Sequence, residues 1–76
     1  MTPAALLRRI ELAAHNEQLC LDLASRLVGE ARSTMLANVR RHASTRLEAA
    51  TELQQLVERR HAAAQAVLAR LEECVS

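Results

Sequence analysis

The sequence predicts an all-α fold: an antiparallel helical hairpin with a long second helix, completed to a bundle or coiled coil by oligomerisation or by a partner. Three observations carry this. Half of the 76 residues are apolar, yet Phe, Tyr and Trp are absent, so the apolar mass is mostly Ala and Leu. A single Gly and a single Pro leave almost no turn chemistry. Sandwiches, barrels and βαβ units need turn signals at short intervals and are excluded. A chain this short also buries too little surface to be comfortable alone, and oligomerisation is a common remedy.

The first helix is expected over about 3–28. Thr2 can accept from free N–H groups as N-cap, and Pro3 suits the first helical position. Gly29 fits the left-handed residue that ends a helix. A turn is expected over about 29–33, with Ser33 or Thr34 capping a second helix over about 34–74. Folding back there places Pro3 opposite a residue near 59, so residues 60–75 project as an overhang. The alternative is a break near Arg59-Arg60-His61 and a third helix folding home.

On a helical wheel, Leu6, Leu7, Ile10, Ala13, Ala14, Leu21, Ala24 and Val28 share the main face of the first helix. Arg8, Glu11, His15, Gln18, Asp22 and Arg26 form its polar stripe, with Asp22, Arg26 and Glu30 spaced as a ladder. Leu12, Leu19 and Leu23 fall nearly opposite the main face, where the other helix of the hairpin cannot cover them. The second helix presents Met35, Val39, Ala50, Leu53, Val57, Ala64, Leu68, Leu71 and Val75. The overhang thus keeps an apolar stripe without an intramolecular partner. The expected partner-binding residues are Leu12, Leu19, Leu23, Arg60, Ala64, Val67, Leu68 and Leu71.

Glu17 and Arg46 fall at the centres of the two apolar faces and at nearly the same level. They are expected to form an ion pair across the hairpin, with His42 one turn away as the other candidate partner. The preferred reading is a structural pair that fixes the register of two slippery Ala/Leu surfaces. The alternative is a ligand-binding pair. If the pair is buried, loss of Glu17 costs about 3–5 kcal/mol.

Glu58-Arg59-Arg60-His61 is an ExxH pattern. Carboxylate-bridged metal bundles combine one Glu with such a pattern on a facing helix, which makes Glu17, Glu58 and His61 the candidate metal ligands of an alternative reading. Residues 24–29 followed by Arg32-Ser33-Thr34 outline a helix-turn-helix, with Arg32, Arg40 and Arg41 able to reach phosphates. The near balance of ten Arg against nine acids, and the lack of aromatics, weigh against nucleic acid. No catalytic constellation or phosphate loop is present, and neither an enzyme nor a cofactor is expected. No apolar run suits a membrane span. The first residues lack the segments of a secretory leader. Cys20 and Cys74, with no metal or redox spacing, read as reduced thiols of a cytoplasmic protein.

Three local resemblances add to this. Leu47-Glu48-Ala49-Ala50 with Leu53 and Val57 is similar to the second helix of the hairpin co-chaperones of type III secretion needle subunits. That likeness implies a cytoplasmic protein holding an aggregation-prone helical subunit. Arg46 with Ala49-Ala50 and Glu52-Leu53 resembles a helix of small ferritin-like bundle proteins, of which this chain would be half. Arg8-Arg9-Ile10-Glu11 with Glu17-Gln18-Leu19 and Arg26-Leu27 resembles the first helix of all-helical chorismate mutases. The Lys of those sites is missing here, and no catalytic role follows. The expected function is a small protein–protein interaction module: an adaptor, co-chaperone or assembly factor.

Overall fold

The computed structural model describes residues 1–75 as two helices packed against each other in a hairpin, α1 (Pro3–Ala24) and α2 (Gly29–Val75). The start of α1 follows its capping chemistry. Thr2 Oγ1 accepts from the Ala5 N–H at 3.2 Å, and Pro3 occupies the first turn, where a missing N–H removes no helix bond.

The turn lies over residues 25–28, earlier than the expected 29–33. Ser25 caps α1 in right-handed geometry, and its hydroxyl donates to the Asp22 carbonyl at 2.6 Å. Ser side chains compete in this way for backbone partners and favour helix ends. The Arg26 and Leu27 N–H groups then bond three residues back, to Leu23 and Ala24, which tightens the chain into the reversal. Gly29 does have the left-handed φ of 65°, but it opens α2 instead of closing α1. Ser33 and Thr34 lie inside α2 and cap nothing. The expected Asp22–Arg26–Glu30 ladder is also broken by the early turn. Asp22 instead accepts from Gln18 Nε2 at 3.0 Å.

From Gly29 the second helix runs without interruption to Val75, so the alternative third helix does not form. Its length at 1.5 Å per residue is about 70 Å, the long dimension of the whole 70 × 17 × 15 Å molecule. A straight rod accounts for that match. The narrow cross-section also excludes the crossed helices of a helix-turn-helix, because α1 is about 33 Å long and could not lie transversely.

The seam uses a regular three-and-four spacing on α1. Leu6, Ala13 and Ala24 are buried, Pro3, Ile10, Glu17 and Cys20 are half-buried, and Leu27 in the turn continues the spacing. On α2, Ala49 is buried, and Met35, Leu36, Val39, Ala50, Leu53 and Leu56 are half-buried. Among the described residues Leu6 is the one large side chain that is fully enclosed. The expected α1 face is corrected at Leu7, Ala14, Leu21 and Val28, which are all exposed. On α2, Val57 is exposed as well. Small residues at the contact let the backbones approach closely, and this selects the Ala13/Ala24 face over its bulkier neighbour.

Candidate interaction surfaces

The middle of the seam is polar. Asn16, Glu17 and Cys20 of α1, and Asn38, His42 and Thr45 of α2, are all half-buried. Thr45 tolerates its helical place by donating its hydroxyl to the Arg41 carbonyl at 3.2 Å. Across this belt Arg46 Nε donates to Glu17 Oε2 at 2.9 Å, and Arg46 Nη2 donates to Glu17 Oε1 at 3.4 Å. The fork-to-fork arrangement fixes both distance and level between helices. His42 makes no bond to that carboxylate.

The pair is not buried, however. The Glu17 side chain is 20% exposed and that of Arg46 45%. Water therefore screens the charges, and the expected burial energy of the pair is too large. Both carboxylate oxygens of Glu17 are engaged by Arg46 at the edge of the seam.

The candidate metal ligands are not brought together. No group of three or more His, Cys, Asp or Glu side chains among the described residues could hold a metal ion. Glu17 faces Arg46, whereas Glu58 accepts from Gln54 Nε2 at 3.2 Å on its own helix and His61 lies on the exposed stretch. The Arg side chains proposed to reach phosphates, Arg32, Arg40 and Arg41, are exposed.

Two apolar surfaces remain. Leu12, Leu19 and Leu23 form an exposed edge along α1. The other is the free part of α2. Half-burial ends at Leu56, and every residue from 57 to 75 is exposed. Val67, Leu68 and Leu71 are each more than half exposed there. Ala64, Val67, Leu71 and Cys74 continue the spacing of Ala49, Leu53 and Leu56, so the free stripe lies on the side of α2 that α1 occupies lower down. Arg60 belongs to this stripe also. The shallow groove beside Leu68, Leu71, Glu72 and Val75 is lined by one helix only and encloses nothing. So open a groove is not a small-molecule cavity.

Both cysteines are free thiols, Cys20 half-buried and Cys74 exposed. No helix among the described residues is long and apolar enough to cross a membrane. What sequence reasoning missed is Ala49, the single buried residue of α2. The wheel centred the α2 face nearer Ala50 and Val57, slightly out of phase with the contact at Ala49, Leu53 and Leu56. No family model matches the chain, and no match was found among curated proteins or among solved structures.

Proposed function

We propose that the chain is a small cytoplasmic protein–protein interaction module, an adaptor, co-chaperone or assembly factor that works through its apolar helix faces. One observation supports this above the others. Among the described residues thirteen large apolar side chains are at least 41% exposed, whereas Leu6 alone of the large ones is fully enclosed. Isolated exposed leucines are ordinary, but aligned stripes of them are the mark of a binding face. The leucine edge of α1 suits an amphipathic helix laid alongside it, as a chaperone of a helical subunit would require.

The test is site-specific photo-crosslinking in the source cell. A crosslinking residue at Leu19 or Leu68 should yield discrete protein adducts, and one at Gln18, on the polar stripe of α1, should not. Equal labelling from all three positions, or none from any, would remove the reading.

A further inference from the structure

The geometry points to a second copy of this chain as the occupant of the free stripe, docked antiparallel so that residues 57–75 of the two chains cover each other. This rests on reading the chain as an interaction module and names the partner of one of its surfaces.

The orientation follows from where the stripe lies. It is on the same side of a straight α2 as α1. A second copy docked parallel on that stripe would drive its residues 29–56 through the space that α1 fills. A copy docked antiparallel carries those residues away from α1 instead. The register follows as well. Sliding the copies closer brings each tip against the start of the other α1, and sliding them apart leaves the stripe uncovered. Overlap centred near Ala66 avoids both. The partner's tip then takes up the line of α1 where α1 begins, and a two-helix rod continues through the joint.

The charges fit this arrangement and no parallel one. The last turn of α2 has no basic residue and is preceded by Glu72, so negative charge sits at the negative end of the helix dipole. Arg60 lies in the apolar stripe at the other end of the overhang. Antiparallel overlap about Ala66 brings Arg60 of one chain level with Glu72 and the helix C-terminus of the other, twice by symmetry. A parallel pair would set Arg60 against Arg60 in the seam, where like charges are unfavourable. Between the two charged layers, Ala64, Val67 and Leu68 of each copy meet their counterparts in small-to-large contacts.

Light scattering and X-ray scattering of the purified full chain test this directly. At micromolar to submillimolar concentration the mass should be twice 8.4 kDa. The longest dimension should rise from the 70 Å of one chain to about 110 Å. Val67→Asp should weaken association by more than about tenfold, with helicity retained at the hairpin. Arg60→Glu should weaken it too, and Arg60→Glu with Glu72→Arg should recover it. In a Cys20→Ser background, Val57→Cys should oxidise to a bridge with Cys74 of the second copy. A bridge between the two Cys74 thiols would mean a parallel pair and would overturn the proposal. So would a monomer at every concentration, or a dimer indifferent to Val67→Asp. If the purified chain is monomeric while crosslinks from Leu68 in cells reach a different protein, the second copy is wrong and the interaction module stands. If both experiments are blank, both fail.

Discussion

The two stretches of α2, residues 29–56 beside α1 and residues 57–75 beyond it, share one helix and one stripe but differ in shelter. The sheltered stretch has the more polar centre, with Asn38, His42 and Thr45 half-buried and Arg46 reaching across to Glu17. The unsheltered stretch offers Ala64, Val67, Leu68 and Leu71 to solvent. A chain shaped only to fold alone would have no use for an apolar stripe that continues past the start of α1. Residues 57–75 hold their helix through local means, since nothing packs on them. Five Ala residues with Leu, Arg, Gln and Glu supply high propensity, and the Gln54–Glu58 bond secures the entry to this stretch. An unpacked extension frays more readily than a packed one, so a neighbour on this stripe would add to its helicity.

The widest separation between the two stretches should come from Leu6→Ala. Leu6 is fully enclosed and is the one large side chain of the seam with that status. Its truncation should cost about 2–4 kcal/mol in urea unfolding, from lost burial plus the cavity left behind. That is most of what a hairpin this small can spare. A loss under about 1 kcal/mol would mean the N-terminal half of α1 is not packed as described.

Next in size is Gly29→Ala. A Cβ there meets no atom within 4 Å, so sterics with neighbours add nothing. The cost comes only from the left-handed φ of 65° and should be about 1–2 kcal/mol. Thermal unfolding would read it. A neutral result would show that the reversal at residues 25–28 sets the turn without help from Gly29.

Much of the paired region was legible in the sequence, and the reasons are local or topological. The N-cap at Thr2 needs only three residues of context. The level of Glu17 against Arg46, 29 residues apart, follows from any near-symmetric fold-back. The unequal helix lengths follow from the lack of a breaker after Gly29. The phase of α1 was not legible. Leu7, Leu21 and Val28 compete with Leu6, Ile10 and Ala13 on one side, and Leu12, Leu19 and Leu23 on the other. A helix with apolar residues on several sides does not choose its own inner face. The small residues Ala13, Ala24 and Ala49 choose it, through an approach distance that only the pair of helices defines. The turn was missed for a related reason. Gly is the louder signal, but Ser25 satisfies a carbonyl first and ends α1 four residues before the expected Val28.

A smaller effect belongs to the ion pair. Glu17→Gln should cost about 0.5–1 kcal/mol, because the exposed half of Arg46 leaves the pair screened. Added salt should shrink the difference between the two proteins. A loss of several kcal/mol, insensitive to salt, would mean that the pair is desolvated and that the polar belt is a true core.

The smallest effect tests the unsheltered stretch itself. In dilute solution, where chains are separate, Leu71→Ser should change unfolding by less than about 0.5 kcal/mol, as expected of a surface position. Leu71 is 56% exposed and has nothing beside it to lose. The same substitution in concentrated solution should be felt, because a covered leucine loses burial that an uncovered one never had. Amide exchange separates the two states residue by residue. At low concentration residues 62–75 should exchange far faster than residues 42–53, and raising the concentration should slow the former while leaving the latter unchanged. Exchange in residues 62–75 that ignores concentration would leave their helix to propensity alone, and the contrast between the two stretches of α2 would then reflect composition and not a missing neighbour.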